Sequence, residues 1–133
     1  MSKSESGSQY VDVSQLEWQI TEFPGVKVKR LWQDEQSGAF TALFRLEPGA
    51  RLPRHRHTGV EQTFVLEGSL IDEHGECTAG NFVWRSPGSI HEASSPDGCI
   101  SISVFQQPNE FLDIGKVMHD KTPHEEGSLK SNQ

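Results

Sequence analysis

The 133-residue sequence predicts an all-β fold, a sandwich or barrel built as one domain, on three observations. Apolar and polar side chains alternate over short runs; Gly and Pro interrupt those runs at intervals of roughly eight to twelve residues; and almost no stretch repeats with a helical period. A chain of this length buries one core and falls short of two comfortable ones. Its hydrophobic content of 33% is low, and the shortfall is concentrated at the two ends. Residues 1–9 are polar and read as a disordered leader, 10–118 as the folded domain and 119–133 as a flexible tail.

Taken in order, residues 10–13, 16–20 and 26–32 have strand character, with Pro24-Gly25 turning between the second and third. Residues 33–38 are a polar loop. A long strand over 39–47 puts Ala42, Phe44 and Leu46 on one face, which is expected to be core. Glu47-Pro48-Gly49 turns into the next strand, where Pro53 fits only an edge or a strand start. Residues 60–66 continue the sheet and Glu67-Gly68 ends it. Residues 69–72 and 76–79 form a hairpin with His74 exposed at its tip, and 82–85 is a short strand ending at Pro87-Gly88. His91 opens another strand. The run 99–106 is the last clear strand, with Ile100, Ile102 and Val104 on one face and Ser101, Ser103 and Phe105 on the other. Residues 108–118 fit either a helical turn or an edge strand. His119 and His124 belong to the tail.

Gly49, His55, Arg56, His57, Glu61 and Gly68 form the stretch around which the chain is organised. On an extended strand alternate side chains share a face, so His55 and His57 point together and Arg54 and Arg56 point away. Gly59 can supply a turn or bulge that returns the Glu61 carboxylate to that face. His91 follows the rigid Pro87-Gly88 corner and adds a third imidazole. Three imidazoles and one carboxylate suit a divalent transition metal and leave room for water or substrate.

The stretch from Gly49 to Gly68 resembles the first motif of the cupin superfamily without a gap. Gly80 to His91 resembles the second with one extra residue between its glycine and proline. The run from His55 to Cys99, including Val65-Leu66-Glu67-Gly68-Ser69, Asp72-Glu73-His74-Gly75 and Asp97-Gly98-Cys99, is similar to the ChrR-like cupin domain. The wider layout, including 111–117, is similar to the acetylacetone-cleaving and 2,4'-dihydroxyacetophenone-cleaving dioxygenases. The resemblance implies a double-stranded β-helix, or jelly roll, with a metal between its sheets, and a homodimer in which the strands before Gln33 pack across the interface. It also implies an iron(II)-dependent dioxygenase that cleaves a carbon–carbon bond of a small diketone or hydroxyketone. The alternatives are a zinc-binding ChrR-like sensor or regulatory module without catalysis, and a metal-dependent isomerase or decarboxylase. Fe(II) is the favoured metal, then Zn(II), with Ni(II) or Mn(II) also compatible.

Strand parity with the ligands nominates Thr63, Val65, Ala93, Ile102 and Val104 as pocket walls for a small-molecule substrate or ligand. Phe44, Phe82 and Trp84 are further candidates for walls, with core or dimer-interface packing the commoner role of such aromatics, and Glu92 points away from the site. A formal charge of −7 argues against a nucleic-acid surface, which needs clustered excess cations. Cys77 and Cys99 have no CxxC spacing and read as free thiols. No apolar run reaches the length of a membrane span and the first residues carry no secretory h-region, so a cytoplasmic location is expected.

Overall fold

Alternation becomes eleven strands in the computed structural model, which describes residues 6–112 and the short strand at 116–117. Residues 1–5 of the expected leader and the whole expected tail, with His119 and His124, lie outside the described residues. The strands are β1 (Gln19–Ile20), β2 (Val26–Gln33), β3 (Phe40–Leu46), β4 (Ala50–Arg56), β5 (Glu61–Asp72), β6 (Gly75–Thr78), β7 (Phe82–Arg85), β8 (Ile90–Ser95), β9 (Cys99–Phe105), β10 (Glu110–Phe111) and β11 (Lys116–Val117).

All pairings are antiparallel and fall into two sheets that share β5. One runs β1-β2-β3-β9-β5-β7 and the other β11-β10-β4-β8-β5-β6. The shared strand makes the two sheets one curled structure, the jelly roll that the motifs imply. The buried face of each strand supplies the core, with Val26 and Val28 from β2, Phe40, Ala42, Phe44 and Leu46 from β3, and Phe105 from β9. Phe40 stacks on Phe105 at 4.4 Å and 8°. Ring stacking of this kind adds about 0.5–1.5 kcal/mol beyond area burial.

Four sequence expectations need correction. Residues 10–13 are not a strand: Asp12 accepts from the Ser14 N–H (3.1 Å) and hydroxyl (2.6 Å), and this local capping starts a single 3-10 turn over Val13–Gln15. Of residues 16–20, only Gln19–Ile20 pair. Glu67-Gly68 does not end a strand, because β5 runs on through a bulge between Val65 and Glu67 and crosses from one sheet to the other. Pro53 lies inside β4, at a second bulge where the register with β8 shifts between Leu52 and His55. A bulge leaves a residue without a ladder partner, which is where a proline lacking an N–H is tolerated. Within the stretch left open at 108–118, residues 110–111 and 116–117 pair with each other as strands, and 110–111 also pair with His55 and Arg56 of β4.

Candidate metal centre

The β4 bulge decides where His55 points. Leu52 and His55 are an odd number of residues apart, so a regular strand would send them to opposite faces. The extra residue cancels that, and both side chains line one cavity. His55 pairs across the ladder with His91 of β8. His57 follows the end of β4, and the 86–89 corner holds its backbone: the His57 N–H donates to Ser89 O (2.9 Å) and the Gly88 N–H donates to His57 O (2.7 Å). The ring centroids of the three histidines are 4.5 to 4.9 Å apart. One ring nitrogen from each lies within 4.8 Å of the others, and all three residues are buried.

Hydrogen bonds fix which nitrogen that is. His55 Nδ1 lies 2.7 Å from Pro53 O, an acceptor only, so Nδ1 carries the proton. His57 Nδ1 meets Ser89 O at 3.1 Å and Ser89 Oγ at 3.0 Å, and that hydroxyl already donates to Ser86 O, so Nδ1 again donates. His91 Nδ1 lies 2.9 Å from Asp72 Oδ2. Each Nε2 is left with its lone pair, the tautomer a metal needs.

Glu61, at the start of β5, stands beside the three-histidine cluster and meets it at His57. Its Oε1 lies 2.9 Å from His57 Nε2, yet that nitrogen has no aligned hydrogen bond. A lone pair facing a carboxylate at this distance in a buried site calls for a cation. Donors about 2.1 Å from one metal ion sit roughly 3 to 3.5 Å apart, so this pair already has the spacing of neighbouring ligands. Thr63 donates to Glu61 Oε2 (2.8 Å), and Ser103 Oγ, 2.7 Å from Thr63 Oγ1, donates in turn. The residues therefore fit a divalent transition metal.

Charge states agree. Burial pushes His55 down to about 4, and burial followed by the Arg85 charge lowers His91, so both rings are neutral near pH 7. Burial acts to raise Glu61, but a positive charge on the His57 side and the Thr63 hydroxyl outweigh it and hold the carboxyl at about 2; with His57 Nε2 bare, a bound cation is what would supply that charge.

The cavity beside the histidines has a volume of about 40 Å³ and is walled chiefly by Phe44, Leu46, Leu52, Leu70, Phe105 and Phe111, with Arg85, Asn109, Ser101 and Ser103 among its polar groups. Of the nominated walls, Thr63 and Ala93 line it. Val65 is fully buried in the apolar core. Ile102 and Val104 were nominated on the wrong parity: β9 turns Cys99, Ser101, Ser103 and Phe105 inward, and Val104 is 44% exposed outside. The apolar alternation of β9 marks an outer face, and small serines face inward because the space there is cavity. Phe111, in the 111–117 stretch of the resemblance, also lines the cavity, its ring 5.1 Å from that of His55; strand parity with the ligands does not reach it. Phe44 is a wall residue, Phe82 and Trp84 are exposed, and His74 is exposed at the hairpin tip as expected. Glu92 is exposed and paired with Arg51 at 3.3 Å. Cys77 and Cys99 are buried free thiols, and burial raises both, Cys99 to about 11.

Comparison with solved structures shows the same fold. A candidate acetylacetone dioxygenase from Methylibium petroleiphilum matches with a TM-score of 0.76 and 23% identity, over 90% of this chain and 92% of its own. An acetylacetone dioxygenase from Acinetobacter johnsonii matches at 0.74 and 21%, over 91% and 89%. The Rhodobacter sphaeroides SigE complex with the anti-sigma ChrR matches at 0.62 and 24%, over 70% of this chain and 51% of that one. No curated protein sequence matches the chain. Among the described residues no helix is long and apolar enough to cross a membrane. The model of the ChrR cupin-like domain matches residues 6–109, and with its motif glycines, three converging imidazoles and jelly roll in place, the chain belongs to the ChrR cupin-like domain family.

Proposed function

We propose that the chain holds iron(II) through His55, His57 and His91, with Glu61 as a fourth donor, and acts as a dioxygenase cleaving a carbon–carbon bond of a small diketone or hydroxyketone. The observation that carries this reading is the convergence of three buried imidazoles on one side of a mostly apolar cavity. Iron held there supplies a redox-active centre for dioxygen and an electrophile for substrate oxygens. Both atoms of dioxygen enter the products as the bond breaks, so no external reductant is required. The chain's own part is binding and exclusion of water. Phe44, Phe105 and Phe111 give the substrate carbon skeleton an apolar seat, and Leu52 and Leu70 extend it. Thr63 and Ser103 hold Glu61 by one oxygen, which leaves the other directed at His57. The likeness to acetylacetone dioxygenases in fold supports the substrate class.

A second reading is a zinc-holding sensor or regulatory module without catalysis. Glu61 favours it, because four protein donors close a structural zinc site. The buried thiols, raised in pKa, argue against oxidant sensing through Cys77 or Cys99.

Oxygen consumption separates the two. Metal-stripped protein is reconstituted with iron(II) or zinc and offered β-diketones and hydroxyacetophenones, with His57→Ala as control. Uptake with iron alone, abolished in the control, is the expected result. Zinc retained tightly and no uptake with any compound would give the sensor reading the stronger claim.

A further inference from the structure

Asp72 ends β5, with its side chain only 3% exposed. Four donors converge on its carboxylate. The backbone N–H groups of His74 (2.7 Å) and Gly75 (2.9 Å) reach Oδ1. His91 Nδ1 (2.9 Å) and Arg85 Nη1 (2.5 Å) reach Oδ2. An ionised carboxylate accepts about four hydrogen bonds and donates none, so this arrangement saturates it. Its lone pairs are committed to the protein. Asp72 also lies with Glu73 and His91 in a cluster whose donor atoms are within 4.8 Å of one another. That cluster is not a second metal site, because Glu73 is exposed and Asp72 has no free lone pair to offer.

Arg85 belongs to both ends of the centre. On β7 it is the ladder partner of Glu61; its side chain is 16% exposed and lines the cavity, and its guanidinium crosses to Asp72 at the far end of β5. A guanidinium remains charged and cannot accept. It therefore keeps Asp72 ionised and turned toward His91. A bare Nδ1 on His91 would set one lone pair against another, so Asp72 dictates the Nδ1–H tautomer and leaves Nε2 to face His55 and His57.

We infer that Asp72 and Arg85 are the positioning pair of the metal centre: Asp72 fixes the tautomer and ring orientation of His91, and Arg85 fixes Asp72. This rests on the metal reading above. Neither residue is a ligand in that reading; both act through His91.

The variant that tests it is Asp72→Asn. The carboxamide can still satisfy the hairpin N–H groups with its oxygen, but its NH₂ then meets His91 Nδ1 and Arg85, two groups that need an acceptor. Arg85→Gln leaves the hairpin untouched and removes only the second link. Zinc affinity is read by competition with a chromophoric chelator and ligand geometry by the visible spectrum of the cobalt(II)-loaded protein, with circular dichroism confirming the fold. Outer-shell partners of this kind are worth about 10- to 100-fold in metal affinity. The expected result is a loss in that range with an altered cobalt spectrum for Asp72→Asn, a smaller loss for Arg85→Gln, and no change for Glu73→Gln. Wild-type affinity and spectrum in a folded Asp72→Asn variant would overturn the inference while leaving the metal centre standing. Two metal equivalents in the wild type, one lost on Glu73→Gln, would overturn it by making Asp72 a ligand. A wild type that binds no metal would remove the metal reading itself.

Discussion

Gly68 occupies the point where β5 passes from one sheet to the other, with φ at +75°, and a Cβ there would overlap the carbonyl of Gly98. Both the backbone angle and the close approach exclude other side chains. Gly68→Ala is expected to cost about 3 kcal/mol or more, measured by chemical denaturation. A loss within the experimental error would mean that the crossing is less tight than its geometry requires. The importance of this glycine was legible from its place in the motif, although its reason was not. The three histidines were legible in a similar sense, since His55 and His57 share parity and His91 follows a rigid corner. Asp72 was not. It lies 19 residues from His91 in sequence, and a carboxylate before a hairpin looks like turn chemistry, which it also performs.

At the scale of elements, the strands were readable wherever alternation had a clear apolar face and misleading where it had two. In β9 the apolar set Ile100, Ile102 and Val104 is outside, and the serines are inside. Sequence alternation reports that two faces differ and does not say which one meets a cavity. Bulges add a second difficulty, because the one in β4 inverts parity between Leu52 and His55, and Pro53, which marks it, fits an edge or a strand start equally well in the sequence. The β9 assignment can be checked with a pair of adjacent changes. Ser103→Val removes a hydroxyl that donates to Thr63 and pushes bulk into the cavity, an expected loss of about 1–3 kcal/mol. Val104→Ser, on the outer face, is expected to stay within about 0.5 kcal/mol when both changes are made in a monomeric Phe82→Glu, Trp84→Glu background. Denaturant midpoints decide the matter: a reversed order would return the inner face to Ile102 and Val104.

For the whole molecule, the outer face of β9, β5 and β7 is the feature left unused by the centre. Phe64 faces Ile102 on one side and Phe82 on the other, and Gln62 lies between Val104 and Trp84. Phe64, Leu66, Phe82, Trp84 and Val104 are 40% to 62% exposed. None of these outward residues is charged, in a chain whose net charge is −7. Half-exposed aromatic rings of this size offer roughly 100 Å² each, so the patch comes to about 400–500 Å² of apolar surface. A stable dimer needs about 800 Å² per partner, somewhat over half of it apolar. The patch matches the apolar centre of such an interface, with Thr41 and Gln62 among its polar neighbours, and we propose that a second copy of the chain covers it. A contact there would use the edge of the sheet opposite to the strands before Gln33. Light scattering on the eluted protein is expected to give twice the 14.9 kDa chain mass, and Trp84→Glu with Phe82→Glu to give the monomer with its metal affinity retained. A monomeric wild type would refute the contact, and a dimer unaffected by both charges would place it on another surface.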